Sequence, residues 1–243
     1  MKSTILLLIF LIFEIQCATE NEKIVWKFLK KEGLTDAGAG GLMGNLQAES
    51  NMRSVVYENI YKPKFGSDQD YVDAVNNGTY TKFVDDGVGF GLAQWTFSSR
   101  KEALLELCEG KIGDLNCQLK YLMIELKNDF EEILAMLKTS TDLYACTIKV
   151  MTDFERSGDY SEALKKFRYQ LAKNIYNEFS GTPIEDDDDK KGKTYKIQPG
   201  DTLSGIAAKF GTTVEELCKL NDIEDPDIIY AGQILILPEN SED

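Results

Sequence analysis

The spacing of hydrophobic residues predicts helices over most of the chain before residue 181. Apolar side chains recur every three or four positions in 24–29, 115–137, 141–154 and 161–179, which is the periodicity of an amphipathic helix. The stretch Met52–Trp95 lacks this period and is rich in Gly, Asp and Asn, so it predicts loops with short strands. We therefore expect an α-rich domain with one irregular lobe.

A further helix is predicted at Thr35–Ser50, with Thr35 as its N-cap. Its buried face consists of Ala39, Leu42, Met43 and Leu46. Glu49 continues this apolar stripe, and both burial and the negative helix C-terminus disfavour its ionised form. A protonated carboxyl is the proton donor that cleavage of a glycosidic bond requires. Because glycine is costly in a helix, four of them imply a closely packed neighbour: Gly38, Gly40, Gly41 and Gly44.

A boundary between two units is visible at Gly181–Lys193, where a helix-breaking Gly-Thr-Pro is followed by a run of charges with nothing to bury. We expect one domain at 18–180, an acidic linker at 181–193 and a compact unit at 194–239. The elements predicted in that unit are a strand at Thr194–Ile197, a helix at Leu203–Phe210 capped by Asp201 or Thr202, a helix from Thr213 to Leu220, and a strand at Ile234–Leu237. The fold class is therefore α+β.

Residues 1–17 have the pattern of a signal peptide, with Lys2 before the apolar run Ile5–Phe13. That run is too short for a membrane-spanning helix, which needs about 20 residues. We expect cleavage after Cys17, with no membrane segment in the mature protein.

The amino-acid composition restricts the catalytic mechanisms that are possible, because the 243 residues include no histidine. This excludes the usual Ser-His-Asp and Cys-His hydrolases and most zinc amidases and peptidases. Enzymes that cleave sugars need only carboxylates, so we expect no metal and no other cofactor. The net charge of −14 argues against nucleic acid as a partner. It also disfavours encounter with an anionic cell wall, a conflict that an acidic digestive or phagosomal compartment would reduce.

Four cysteines remain after the predicted cleavage, and secretion permits disulfides. Cys108 and Cys117 flank a short loop and can pair, but Cys117 with Cys146 is an open alternative. Cys218 lies in the C-terminal unit and is expected to be unpaired.

A second candidate ligand-binding segment is Asp85–Thr96, in which alternating glycines let the backbone approach a ligand closely. Gln94 offers a donor and an acceptor for sugar hydroxyls or N-acetyl groups. Phe90 or Trp95 either stacks on a sugar face or belongs to the core.

Glu49-Ser50 followed by Gly91-Leu92-Ala93-Gln94 resembles the Glu-Ser … Gly-Leu-Met-Gln pattern of goose-type lysozymes and lytic transglycosylases. Over Ile24–Phe179 the chain is similar to the phage tail lysozyme family through these further segments: Gly41–Ala48, Asn77–Tyr80, Gly89–Thr96 and Arg100–Lys101. The resemblance implies a lysozyme-like, mainly α fold and cleavage of the β-1,4 bond after N-acetylmuramic acid.

The resemblance also implies that Glu49 is the catalytic acid. The substrate contacts expected beside it are Ser50, Gly91, Gln94 and Trp95. Asp86 is the candidate second carboxylate, in competition with Asp85, Asp70 and Asp68. Phe154-Glu155-Arg156 resembles a family motif that is usually closed by proline, where this chain has Ser157.

The C-terminal unit resembles a LysM domain, since 195–203 matches its opening and 220–221, 229–233 and 237–238 match its close. Such modules bind N-acetylglucosamine polymers between the loop after the first strand and the loop before the last. This implies a glycan site at Gly200, Asp201, Thr202, Leu203, Ile228 and Ile229, with Leu203 and Ile229 as its apolar floor.

The main interpretation is a secreted, monomeric muramidase that its LysM unit tethers to peptidoglycan. A lytic transglycosylase, in which a hydroxyl of the sugar replaces water, is the first alternative. A non-catalytic glycan binder is the second, and chitin in place of peptidoglycan is the third.

Overall fold

The computed structural model describes residues 19–58, 62–155, 160–184, 194–198, 200–221, 223, 225–230 and 233–238. The predicted signal peptide and residues 185–193 of the predicted linker lie outside these ranges. The helices of the first unit are α1 Glu20–Lys31, α2 Asp36–Ser50, α3 Lys62–Phe65, α4 Asp68–Asn76, α5 Ser98–Leu107, α6 Leu115–Asn128, α7 Glu131–Thr139, α8 Leu143–Lys149 and α9 Glu162–Phe179. Within the described ranges, every helix is too short or too polar to cross a bilayer.

Helix α2 lies at the centre of the first unit and is buried on every side from Ala37 to Leu46. It begins as predicted, because the Thr35 hydroxyl accepts a hydrogen bond from the Gly38 N–H at 2.8 Å. Helices α8 and α9 pack directly on it. A Cβ added at Gly38, Gly41 or Gly44 would lie within 3.0 Å of backbone atoms of a neighbouring helix. The expectation that these glycines mark close packing is confirmed.

We predict that Gly44→Ala lowers the free energy of unfolding by about 1–3 kcal/mol, because overpacking forces a shift of backbone. The added methyl would lie 2.6 Å from Cβ and 2.7 Å from Cα of Ala172 in α9. Denaturant unfolding of both proteins measures the difference.

Gly40→Ala in the same helix is the matched control. Its nearest obstacle is the flexible Leu143 side chain, at 3.0 Å, and alanine gains up to ~1 kcal/mol of helix propensity. Equal losses in the two variants would contradict the packing argument.

Two predicted helices are interrupted. The stripe 115–137 divides into α6 and α7, because Phe130 leaves the helical conformation (φ −136°, ψ 44°) and packs its ring on Phe154, with centroids 5.0 Å apart. The segment 141–154 begins as α8 but continues as a π-helix over Val150–Glu155. Such wider turns often mark functional sites, and this one ends at the cavity described below.

The irregular lobe contains two helices that the pattern did not predict, the four-residue α3 and the longer α4. Ser67 caps α4, whose Tyr71, Val72 and Val75 are buried, but nine residues are too few for a clear period. The rings of the lobe pack together as one aromatic cluster: Tyr57, Phe65, Tyr71, Tyr80, Phe83 and Phe90. Isolated bridges from Phe90 to Tyr57 and to Trp95 fix the glycine-rich loop on this cluster.

The C-terminal unit has the predicted order of strand, two helices and strand. Its elements are β1 Thr194–Lys196, α10 Leu203–Lys209, α11 Val214–Leu220 and β2 Ile234–Ile236. The two strands pair antiparallel, with Thr194 opposite Ile236. Thr202 and Thr213 are the N-caps of the two helices, which settles the choice between Asp201 and Thr202.

One disulfide joins Cys108 to Cys117, which confirms the first of the two expected pairings. Cys146 is a buried free thiol, and Cys218 is also free. The disulfide ties the end of α5 to the start of α6, and both helices carry residues that support the cavity.

Candidate active site

A cavity of about 560 Å³ opens between the C-terminal end of α2 and the start of α9. Helix α2, the glycine-rich loop, α5, the π-helix and α9 each supply part of its wall. The lining residues are Ala48, Glu49, Glu58, Gly89, Ala93, Gln94, Thr96, Phe97, Arg100, Glu155, Leu164, Phe167, Arg168 and Tyr230.

Glu49 borders this cavity from the last turn of α2, with its side chain 22% exposed. The Arg168 guanidinium, on α9, donates from Nη2 to Glu49 Oε1 at 2.5 Å and from Nη1 to Asn45 Oδ1 at 2.9 Å. Asn45 is itself held, because its Nδ2 donates to the carbonyls of Gly41 and Thr147. Arg168 therefore fixes the position of the Glu49 carboxyl.

The sequence did not predict that Glu49 would be bonded to an arginine. Arg168 lies 119 residues further along the chain, so no local pattern pointed to it.

Glu155, the last residue of the π-helix, brings a second carboxyl to the cavity. Its Oε1 atom is buried without a hydrogen-bond partner. Burial, and secondarily the charge of Glu49, raise the pKa of Glu155 to about 8. The motif around Glu155 was recognised in the sequence, but no role at the site was expected of it.

Arg100 lines the cavity, and its guanidinium forms an ion pair with Glu125 on α6. Its Nε and Nη2 donate to the two carboxylate oxygens at 2.6 and 3.0 Å. The Trp95 indole N–H donates to the same carboxylate at 2.7 Å. Trp95 is 0% exposed, so the expectation that it contacts substrate is wrong, and its ring belongs to the core, as does that of Phe90.

The glycine-rich loop is held by hydrogen bonds that also correct two expected contacts. The Ser50 hydroxyl is buried and donates to the Leu92 carbonyl at 2.8 Å. Gly91 has φ +71°, and a Cβ there would overlap the Gln118 side chain. Gln118 in turn accepts from the Leu92 N–H at 2.8 Å. Ser50 and Gly91 therefore position the loop and do not line the cavity.

Of the substrate contacts expected beside Glu49, Gln94 is the one that lines the cavity. Its backbone has φ +46°, which is uncommon for a residue with a side chain. The side-chain amide donates to the Gly91 carbonyl at 2.9 Å. Its role as a substrate contact stays a prediction.

Asp86 is not part of the cavity, which corrects the expectation that it is the second carboxylate. Its side chain is 3% exposed. Lys101 Nζ donates to Oδ1 at 2.5 Å, and the Tyr71 hydroxyl donates to Oδ2 at 2.7 Å. Asp86 is thus the buried anchor of the aromatic lobe. The competing candidates Asp68, Asp70 and Asp85 do not line the cavity either. Within the described ranges, the acidic residues that line it are Glu49, Glu58 and Glu155.

The residues expected to bind glycan in the C-terminal unit separate into two groups. Leu203 is 2% exposed and belongs to the unit's core, so it leaves no surface for a sugar. Asp201 Oδ2 accepts from the Tyr195 hydroxyl and the Gln198 N–H at 2.8 and 2.7 Å, and these bonds lower the pKa of Asp201. Thr202 is occupied as the cap of α10.

Gly200 and Ile228 are exposed, and Ile229 packs partly on the core. Their role in glycan binding stays a prediction. Next to them, the Tyr230 ring stacks on Phe167 of α9 with centroids 5.0 Å apart, so a residue of the C-terminal unit also lines the cavity.

Residues 20–179 match the family model described as phage tail lysozyme, and residues 195–238 match the model described as LysM domain. The first match covers more than half of the chain.

Curated relatives share shorter segments with this chain. It is 51% identical over 45 residues to the N-acetylmuramoyl-L-alanine amidase XlyA of Bacillus subtilis, covering 18% of this chain and 15% of that protein. It is 47% identical over 58 residues to the endolysin of Bacillus phage B103, covering 24% and 20%. It is 52% identical over 44 residues to the amidase sle1 of Staphylococcus saprophyticus, covering 18% and 13%. The matches thus span a fifth or less of the length of these relatives.

Proposed function

Because the chain belongs to the phage tail lysozyme family, we propose that it degrades peptidoglycan as a muramidase. The bond cleaved is the β-1,4 bond between N-acetylmuramic acid and N-acetylglucosamine. The observation that carries this proposal is a cavity lined by two glutamates, Glu49 and Glu155, in which Arg168 holds the Glu49 carboxyl in place. Carboxyl groups are sufficient for glycoside cleavage, and the chain has no histidine for the common alternatives.

In the proposed reaction Glu49 protonates the glycosidic oxygen as the sugar develops oxocarbenium character. Arg168 holds the carboxyl in place through its bond to Oε1, which meets the positional demand of general acid catalysis. Once the proton has been transferred, the Glu49 carboxylate stabilises the positive charge of the sugar ring. Gln94 lies on the same wall and can bond an N-acetyl or hydroxyl group.

The nucleophile that attacks the oxocarbenium carbon distinguishes a hydrolase from a lytic transglycosylase. Attack by water gives hydrolysis, and attack by the sugar's own 6-hydroxyl gives a 1,6-anhydro product, as in a lytic transglycosylase. Asp86 is unavailable to orient a water molecule because it is buried with Lys101. This leaves transglycosylation as the second candidate for the same site.

The LysM domain is proposed to hold the enzyme on its polymer through N-acetylglucosamine units. Tethering raises the effective concentration of the catalytic domain, so weak binding by the module is sufficient. It also offsets the slow encounter expected between a chain of net charge −14 and an anionic wall. We propose that the protein acts as a secreted monomer or in an acidic digestive compartment, and that chitin oligomers are a second ligand of the module.

Two of these relatives are N-acetylmuramoyl-L-alanine amidases by name, an activity that cleaves an amide bond and leaves the glycan intact. Those matches cover 15% and 13% of the relatives, so they carry little information about a catalytic domain. The absence of histidine disfavours an amidase further, because zinc amidases bind their metal with imidazole.

The experiment is digestion of purified peptidoglycan by the full chain, followed by mass spectrometry of the products. We expect muropeptides that end in N-acetylmuramic acid, as the reducing sugar for hydrolysis or as the 1,6-anhydro sugar for transglycosylation. Free stem peptides beside uncut glycan would show an amidase. Sedimentation with the wall without any product would show a binding protein, and either result would overturn the proposal.

A further inference from the structure

We propose that Phe97 is a substrate-binding residue whose ring stacks on the flat face of an N-acetylhexosamine unit in the candidate active site. This inference rests on the proposed glycosidase function and adds a sugar contact to it. Phe97 directly follows the glycine-rich loop, at the start of α5, and it lines the same cavity as Glu49 and Gln94.

Phe97 has the most accessible aromatic ring of the cavity. Phe90 and Trp95, the rings for which sugar stacking was considered, are both 0% exposed. Among the other lining residues, Phe167 is 6% exposed and stacks on Tyr230. By contrast, Phe97 is 70% exposed, the highest value among the large hydrophobic residues of the described ranges. Its ring is therefore available to a ligand.

The place of Phe97 in the fold gives its ring no structural role. It is the N-cap of α5, where Ser, Thr, Asp or Asn normally accepts a backbone N–H of the first turn, and its side chain makes no such bond. Phe130 is likewise an uncapped helix start, but its ring packs on Phe154. Phe97 forgoes both the capping bond and the packing, and it places an aromatic ring at the cavity instead.

The proposed substrate has the surface that such a ring recognises. In a β-1,4-linked N-acetylhexosamine the substituents of the sugar ring are equatorial, so each face presents only C–H groups. The face of a phenyl ring is electron-rich and attracts the positive ends of C–H bonds, and stacking removes apolar surface of both partners from water. The polar groups at the edge of the sugar can then bond Gln94, which lines the same cavity.

The test compares cleavage of soluble glycan strands by the full-length wild type and three variants, Phe97→Ser, Phe97→Leu and Phe97→Tyr. Serine and leucine lack the stacking face and should lower kcat/KM about 5–10-fold, mainly through KM, because the contact is made in substrate and transition state alike. Tyrosine retains the face and should stay within about twofold of the wild type.

Thermal unfolding is expected to change in the opposite direction for Phe97→Ser. The backbone of Phe97 already has the extended conformation of an N-cap (φ −70°, ψ 137°), so the introduced hydroxyl can accept a backbone N–H of α5. The melting temperature of this variant should rise by about 2–4 °C. A purely structural role of the ring would instead make the serine variant less stable.

Ile124→Ser is the matched control, because it removes another exposed apolar side chain. Ile124 is 42% exposed, lies within α6 and does not line the cavity. This variant should keep the wild-type KM and, since the position is in the interior of a helix, should gain no stability.

A measurement without turnover uses Glu49→Gln and a tetrasaccharide of alternating N-acetylglucosamine and N-acetylmuramic acid. The NMR signals of the Phe97 ring, identified by their loss in the double variant with Phe97→Leu, should shift when the sugar is added. If the wild type cleaves glycan, unshifted Phe97 signals or a KM of Phe97→Ser within about twofold of the wild type overturn the proposal and leave the muramidase standing. Shifted Phe97 signals beside a wild type that cleaves no glycan overturn the muramidase instead.

Discussion

Replacing Glu49 by glutamine is expected to lower the rate of glycan cleavage by about 10²–10⁴-fold, the usual contribution of a general acid. The amide cannot donate an acidic proton to the leaving oxygen. Its oxygen can still accept the Arg168 N–H that Glu49 Oε1 accepts at 2.5 Å, so the link from α2 to α9 remains. The measurement is release of reducing ends or anhydro sugars from purified walls, with thermal unfolding recorded in parallel.

The matched control is Glu102→Gln, the same chemical change at an exposed position on α5. It should keep wild-type activity, while both variants unfold within a few degrees of the wild type. If Glu49→Gln stays folded and loses less than about 10-fold in rate, Glu49 is not the proton donor. In that event the raised pKa of Glu155 makes Glu155 the acid to test next.

Replacing Lys101 by methionine is expected to lower the free energy of unfolding by about 3–5 kcal/mol, because it leaves a buried charge without its partner. The Lys101 and Asp86 side chains are 0% and 3% exposed. Lys101 Nζ also donates to the Val88 carbonyl at 3.0 Å and lies 4.4 Å from the centroid of the Phe83 ring. Loss of the lysine therefore affects the ion pair, a loop carbonyl and the aromatic lobe together.

Two further variants test whether the loss of stability comes from the unpaired, buried charge of Asp86. Both are compared with Lys101→Met by denaturant unfolding at neutral pH. Lys149→Met breaks the partly exposed pair with Asp153 and should cost less than about 1 kcal/mol. The double variant Lys101→Met with Asp86→Asn should recover part of the loss, since the amide can still accept from the Tyr71 hydroxyl. Equal losses in Lys101→Met and Lys149→Met would show that Asp86 finds another partner or water.

Much of the fold follows from contacts between residues close together in the chain. The caps of α2, α9, α10 and α11 each bond a backbone N–H three residues ahead, so the residue types alone identify them. The glycines of α2 predicted close packing on the same local basis. The βααβ order, the Cys108–Cys117 loop and the placing of Glu49 at the end of an apolar stripe are of this kind.

The prediction failed where a residue distant in sequence decides whether a side chain is buried. Trp95 was expected at the substrate because it follows a glycine-rich segment, but its N–H donates to Glu125, 30 residues away, in the core. Asp86 was expected to be catalytic, but it is buried in an ion pair with Lys101. Ser50 was expected to bind substrate, but its hydroxyl donates to the Leu92 carbonyl, 42 residues away.

The sequence by itself thus determined α2, α9, the strand–helix–helix–strand order of the C-terminal unit and the residue at the end of α2 that borders the cavity. Only the tertiary structure decided which carboxyls share that cavity and which are buried as anchors. The reason is that the charge state of a carboxyl depends on burial and on neighbours within a few ångströms. Arg168, which bonds Glu49, and Glu155, which lines the same cavity, both come from the far end of the domain, so only the packing of α9 and the π-helix against α2 brings them to this site.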